Sequence, residues 1–405
     1  MSTTVPHNHT PGTPARKGRW AATISLLAIL IGLATGSTHS PPLSASAQLY
    51  QLYLPRVARP WSLYCPLAGA SESASGPGPA SQLSRARPDT IIRAHLADGT
   101  EYYVQRLGED LVLNGEGYRF VGTNAHYLAG PFFPEDLMEE VISTLAGSGV
   151  DVVRVFVEPW CDLGRVLRML DLGGLHGMRF ILTLQDFYGK QDGWWFKSEY
   201  KTKGLPHIRN IVPLLADRPE VLMWELMNEP ICPAEDANKA CWDALHLWAR
   251  VTSAEIKRLD PNHLVSAGTL RAGFKEQAID TFRRVQALDT IDLVSVHGEG
   301  GKLSQGERAL EQDIAHELGK PIYFGEVHIP GHDKQCQPLS ATALDQRAQA
   351  IASDLDQLQA LGIDGYLLWQ FAYGGVDMGT HNQYFCGELE YFADDPAWQV
   401  LREHK

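Results

Sequence analysis

What the chain lacks narrows its chemistry first. It holds only six cysteines, and no Cys/His cluster has zinc-type spacing, so a metal centre is not implied. Positive charge is in deficit: the formal net charge is −13 at neutral pH. That argues against a nucleic-acid partner, whose phosphates call for a basic surface. No glycine-rich phosphate turn follows the first barrel-type strand; residues 122–127, G-T-N-A-H-Y, have the wrong glycine pattern for a dinucleotide site. No internal repeat stands out. Outside the N-terminus, no stretch is apolar enough to cross a membrane.

The N-terminus carries Arg16, Lys17 and Arg19, an apolar segment from Trp20 to Thr35, and small residues ending Ala45-Ser46-Ala47. Basic, apolar and A-x-A segments in that order describe a secretory signal over residues 1–47, cleaved before Gln48. The competing reading is an uncleaved anchor, but roughly 16 apolar residues fall short of the ~20 that span a bilayer. Export is expected, with no stable membrane span after cleavage. Residues 48–90, rich in Ser, Ala, Gly and Pro, read as a flexible tether. In an exported chain the cysteines are disulfide candidates. Cys232 and Cys241 bracket a short polar loop and make the best pair, Cys336 and Cys386 could also meet, and Cys65 and Cys161 stay unassigned.

From residue 91 onward the texture changes. Short strand-like runs at 91–96, 101–107 and 111–113 are separated by Asp98-Gly99 and Gly108, and read as hairpins that cap the floor of the main domain. Eight further strands are expected at 119–124, 151–158, 178–185, 220–227, 263–267, 291–296, 321–326 and 365–370. Segments such as 134–148, 161–175, 236–259, 305–318 and 341–361 carry apolar residues at helical spacing. Eight strands with interposed helices imply an α/β fold of the (β/α)8 TIM barrel type over residues 91–405. An open doubly wound sheet is the rival. With 44% hydrophobic residues, a chain of this length can bury a large core.

The chain is organised around residues 222–230, L-M-W-E-L-M-N-E-P. An apolar run that stops at Asn-Glu-Pro is a buried strand whose carboxyl end opens into a site, since Pro230 cannot continue a ladder. Glu229 is therefore a candidate catalytic acid. Residues 321–327, P-I-Y-F-G-E-V, end the same way on Glu326. In a barrel every strand's carboxyl end opens on one face, so the two glutamates can converge there as the carboxylate pair of a glycosidase.

The N-E-P at 228–230, the G-E at 325–326, V-R-V-F at 153–156 and L-L-W-Q at 367–370 together resemble glycoside hydrolase family 5 of clan A, from about residue 111 to the C-terminus. Residues 113–128, L-N-G-E-G-Y-R-F-V-G-T-N-A-H-Y-L, are most similar to the endo-β-1,4-mannanases of that family. The resemblance implies a retaining reaction, with Glu229 as acid/base and Glu326 as nucleophile. It also implies that Asn228 bonds the sugar 2-hydroxyl, that His297 lies near the sugar or the nucleophile, and that Trp369 forms the floor beneath the sugar. The family's His-x-Tyr pattern is broken: Glu299 stands where the tyrosine belongs.

Further candidates for the substrate cleft come from the residues themselves. Arg154 is a fixed positive charge expected to hold the Glu326 carboxyl below its ordinary range, or it merely neutralises Glu225. Asn124, His126 and Tyr127 follow the first strand and are expected to line the cleft. Trp194 and Trp195 would be further subsites, or core. Glu299 would bind a sugar hydroxyl or point away. Acid and nucleophile are both side chains, so no metal or organic cofactor is called for. The favoured function is a secreted retaining hydrolase of β-linked polysaccharide or oligosaccharide, β-1,4-mannan first and β-glucan (a cellulase) second. A non-catalytic carbohydrate-binding barrel and an inert cell-surface scaffold are the alternatives. The sequence sets no oligomeric state.

Overall fold

The computed structural model describes residues 103–186, 194–232, 238–268, 276–299, 305–329, 339–373 and 391–405, with only the backbone described at 276, 277, 299, 305–309 and 328. The expected signal, the tether, the strand at 91–96 and Cys65, Cys336 and Cys386 lie outside these residues. Among the described residues no helix is long and apolar enough to cross a membrane.

A small antiparallel sheet comes first: β1 (Gln105–Leu107), β2 (Asp110–Leu113) and β3 (Glu116–Gly117). Asn114 and Gly115 both take positive φ, 57° and 76°, the geometry that a two-residue hairpin turn requires and that Asn-Gly supplies. The main sheet is built from β4 (Phe120–Asn124), β5 (Val152–Phe156), β6 (Arg179–Thr183), β7 (Val221–Glu225), β8 (Leu264–Ser266), β9 (Val294–Glu299), β10 (Ile322–His328) and β11 (Gly365–Leu368). The strands are parallel in the order β8-β7-β6-β5-β4-β11-β10-β9. A bridge between Ser266 and Leu293 joins the two ends, so the sheet is a nearly closed barrel. A helix follows each strand: α1 (Met138–Gly147), α2 (Leu163–Leu175), α3 (Leu205–Leu215), α4 (Lys239–Leu259), α5 (Glu276–Gln286), α6 (Gln305–Glu317), α7 (Ala341–Ala360) and α8 (Ala397–Glu403). This is the expected (β/α)8 architecture.

Two apolar layers hold it. The larger lies between strands and helices, where Val153, Val155, Leu182, Trp224, Val265 and Phe324 meet residues such as Leu145, Leu170, Val212 and Leu245. The smaller fills the bottom of the barrel. There Phe120, Val152, Ile181, Met223, Leu264, Leu293, Tyr323 and Leu367 supply one residue per strand or from the residue just before it, and Val104 and Leu111 plug the layer from the floor sheet. Side chains alternate along a strand, so two positions further on the same strands present Arg154, Thr183, Glu225, Ser266 and Ser295 to the interior. An apolar plug with a polar layer above it is what turns the upper barrel into a site.

The sixth barrel strand differs from expectation. It runs 294–299 rather than 291–296, because the Ile291 amide turns back to Leu288 O at 3.0 Å and the Asp292 carboxylate takes the Val265 N–H at 2.7 Å. Cys232 and Cys241 form the expected disulfide, and Cys161 Sγ lies 3.5 Å from the Phe156 carbonyl.

Close strand packing makes Gly122 on β4 irreplaceable. A Cβ there would collide with the Val152 carbonyl and the Leu367 side chain, and the carbonyl belongs to a ladder that has no freedom to yield. Gly122→Ala is expected to destabilise the barrel by about 3 kcal/mol or more, measured by urea unfolding.

Candidate active site

Arg154 on β5 is fully buried inside the barrel. Its five N–H groups are all used: Nε and Nη2 donate to Glu225 Oε1 at 2.9 and 2.6 Å, Nη2 also to Asn228 Oδ1 at 2.8 Å, and Nη1 to Asn124 Oδ1 at 3.0 Å and Glu326 Oε1 at 2.7 Å. No donor is left for a ligand. Arg154 thus positions the site from beneath, giving two N–H groups to Glu225 and one to Glu326.

Glu229 and Glu326 reach the same place by different backbone devices. After β7 the chain leaves the ladder, with Asn228 N donating to Gln185 O at 2.8 Å and Asn228 Nδ2 to Asp186 Oδ1 at 3.1 Å. Glu229 then adopts φ +44°, a left-handed conformation that costs a non-glycine residue roughly 1–2 kcal/mol. On β10, Phe324 and Val327 both face the helices, and the pairing with β9 and with β11 slips between them. That bulge places two residues, Gly325 and Glu326, on the inner side where strict alternation allows one. A Cβ on Gly325 would press on Ser295 Oγ and His297 Nε2, at 3.2 and 3.3 Å.

His297 on β9 stands between the carboxylates, its Nδ1 lying 3.1 Å from Glu229 Oε1 and 3.4 Å from Glu326 Oε2. An ionised carboxylate only accepts, so toward a charged Glu229 or Glu326 it is Nδ1 that carries the hydrogen. Its Nε2 is buried without a hydrogen-bond partner. One donor atom from each of Glu229, His297 and Glu326 lies within 4.8 Å of the others. Among the described residues this is the one group spaced to hold a cation, but the Arg154 charge on Glu326 and the hydrogen on His297 Nδ1 both oppose it.

Burial pushes the Glu326 carboxyl up to about 7, against the pull of His297 and Arg154, with Glu229 and Glu225 adding to the rise. This corrects the expectation that Arg154 would hold it low. The guanidinium is shared with Glu225, and only 7% of the Glu326 side chain is exposed, against 21% for Glu229. The Glu229 charge is among the causes, so the two carboxyls are coupled, and up to about pH 7 a proton stays on Glu326.

The other expected cleft residues divide. Trp369 is part-exposed just beyond β11 and stacks on His126 with centroids 5.2 Å apart and planes 11° apart. Asn124 is fully buried, and its Nδ2 donates to Gly325 O at 2.8 Å and Leu368 O at 3.2 Å, so it fixes the bulge from below. Tyr127 is core: its hydroxyl donates to Phe371 O at 3.0 Å and its ring packs on Phe133. Trp194 is 57% exposed with Lys197 Nζ over its ring, while Trp195 is 2% exposed and part of the helix-facing core. A π-helix, Trp195–Gly204, turns that second indole inward. Glu299 ends β9, and its side chain lies outside the described residues. Sequence reasoning gave Glu225 only the part of a counter-charge to Arg154, and gave no role to Tyr323 or Asp186.

Comparison with known proteins agrees with this geometry. Residues 186–298 match the model of a GH family 5 beta-mannosidase-like domain. The chain is 26% identical over 289 residues to "Probable mannan endo-1,4-beta-mannosidase F" of Emericella nidulans, covering 66% of this chain and 58% of that protein. It is 30% identical over 285 residues to "Probable mannan endo-1,4-beta-mannosidase A-2" of Aspergillus terreus, covering 66% and 63%. The chain thus spans less than two thirds of either relative. In fold it is similar to an endo-1,4-beta-mannanase from Rhizomucor miehei, with a TM-score of 0.60 at 19% identity over 75% of this chain and 98% of that one. The barrel, the motifs that shape its upper end and these matches make the chain similar to the proteins of glycoside hydrolase family 5, near its mannanases.

Proposed function

We propose that the protein is a secreted, retaining glycoside hydrolase that cuts β-1,4-mannan by double displacement. The observation that carries the reading is the convergence of Glu229 and Glu326, with His297 between them, at donor-atom separations within 4.8 Å. Carboxyl groups about 5–5.5 Å apart suit direct attack on the sugar, whereas inversion needs roughly 6.5–9.5 Å to admit a water. The mannan-directed names of the relatives support the choice of polymer, and the basic, apolar, A-x-A start of the chain supports export.

The charges divide the labour. At rest burial keeps a proton on Glu326 up to about pH 7, so attack requires that proton to pass to Glu229 as water leaves the site, and Arg154, donating to Glu326 at 2.7 Å, supports the anion left behind. Glu326 attacks the anomeric carbon as Glu229 gives its proton to the departing glycosidic oxygen, forming a glycosyl ester. Water then attacks that ester, Glu229 takes a proton from it, and Glu326 leaves as the carboxylate. Asn228 has its oxygen held by Arg154 and one amide hydrogen by Asp186, so its remaining hydrogen is available to the sugar 2-hydroxyl. Trp369, backed by His126, offers a flat apolar face to the sugar ring, and Trp194 is an outer platform for the polymer.

Glu229→Gln and Glu326→Ala are each expected to lower kcat/KM on β-1,4-mannan by about 10³-fold or more, measured by reducing-end release. Product of retained configuration in the first minutes of an NMR time course is expected from the native protein, and inversion would defeat the assigned roles. Binding of mannan without turnover would make the barrel a carbohydrate-binding module.

The pair needs one proton, so kcat/KM is expected to fall as pH rises through about 7. A rate that held steady to pH 9 would contradict the shared proton.

The same burial weighs on stability. The folded-state value for Glu326 exceeds its ordinary 4.5, so its favourable contribution is complete below about pH 4.5 and is lost as pH rises through about 7. Glu326→Gln, which mimics the protonated form, is expected to be more stable than the native protein at pH 8 by up to roughly 3 kcal/mol. Near pH 4.5 the two should unfold at similar urea concentrations.

A further inference from the structure

Glu225 takes no part in the proton transfers proposed above, yet it is fully buried directly beneath them. Its two oxygens accept four hydrogen bonds from three strands. Arg154 Nε and Nη2 on β5 lie at 2.9 and 2.6 Å, Thr183 Oγ1 on β6 at 2.9 Å, and the Tyr323 hydroxyl on β10 at 2.7 Å. The Tyr323 oxygen also lies 3.3 Å from Ser266 Oγ on β8. Arg154 is therefore one cation between two buried carboxylates, and it gives two of its N–H groups to Glu225 and one to Glu326.

We propose that Glu225 is a positioning residue that acts through Arg154: it fixes the guanidinium and takes up part of its charge, so that Glu326 is neutralised only in part and the Glu229–Glu326 pair keeps its working proton. The inference rests on the reading of those two glutamates as the acid pair. With Glu225 charged, the trio Glu225, Arg154 and Glu326 carries one net negative charge when Glu326 is ionised. Without that charge the trio is neutral, and ionisation of Glu326 becomes easier. The other charged or titratable groups facing the trio are His297 on β9, Glu229 after β7, and Asp186, which reaches it through Asn228. Glu158 supports Asp186 by accepting its amide at 3.1 Å. Glu299 and His328 end β9 and β10, with side chains outside the described residues.

The test changes charge while keeping shape. In Glu225→Gln the amide oxygen still accepts from Arg154 and the amide nitrogen meets the Tyr323 oxygen. Two quantities are followed against pH: kcat/KM on mannan, and urea stability, which needs no turnover. Both the alkaline fall in kcat/KM and the pH at which native stability drops are expected to move down by about one pH unit. Glu225→Asp, which keeps the charge, should leave both at their native positions even where kcat is reduced. Tyr323→Phe removes the hydroxyl that offsets the Glu225 charge and should move both upward. A folded glutamine variant with both quantities unmoved would overturn the proposal. If that variant does not fold, an unmoved or downward shift in Tyr323→Phe would overturn it equally. Loss of turnover on every β-glycan in the native protein, with the stability step still displaced by Glu225→Gln, would sink the hydrolase reading and leave this one standing.

Discussion

The site depends on a single guanidinium. Arg154 joins β5 to β7 through Glu225 and Asn228, to β10 through Glu326 and to β4 through Asn124. Two carboxylates and a cation enclosed in a barrel are tolerable only if their hydrogen bonds are complete. Removing one partner of such a buried set costs several kcal/mol, because the remaining charge has no water to turn to. The bottom of the barrel makes the arrangement possible: its apolar plug sets the pitch of each strand, and the next inward positions then face one another across the axis.

Around this cation the protein accepts several unfavourable features together. Glu229 adopts a left-handed backbone, Glu326 is buried deeply enough to hold on to its proton, and His297 keeps a ring nitrogen without a partner. Each would be relieved by a more ordinary choice of residue. They persist because the helix-facing core, continuous from Val121 to Leu401, over-determines the strand ends on which they sit.

Much of this was legible in the sequence, for definite reasons. Near-continuous apolar runs ending in Asn228-Glu229-Pro230 and Gly325-Glu326 marked strands whose ends open into a site, and the alternation of strand and helix patterns gave the barrel. Cys232 and Cys241 were close enough along the chain to pair. Where the reading stayed open or went astray, the deciding force was non-local. Trp195 follows an exposed Trp194 in a polar stretch, and the helical winding there turns the second indole into the core. Tyr127 has the polar tip of a cleft residue, but the Phe371 carbonyl claims it. For Arg154 the sequence offers either Glu326 or Glu225 as the partner, and the structure gives it both. Its division with Glu225, and the depth at which Glu326 lies, emerge only when five strands are brought around one axis.

The slipped register at Gly325 has a broader meaning. Below it, β10 keeps the phase demanded by its neighbours, with Tyr323 inward and Phe324 toward the helices; above it, the phase is reset. The two halves of the strand are thereby out of phase with each other. Apart from the Tyr323 hydroxyl, which reaches the site through Glu225, the lower half serves the packing, and the upper half can vary its chemistry without disturbing the foundation it stands on.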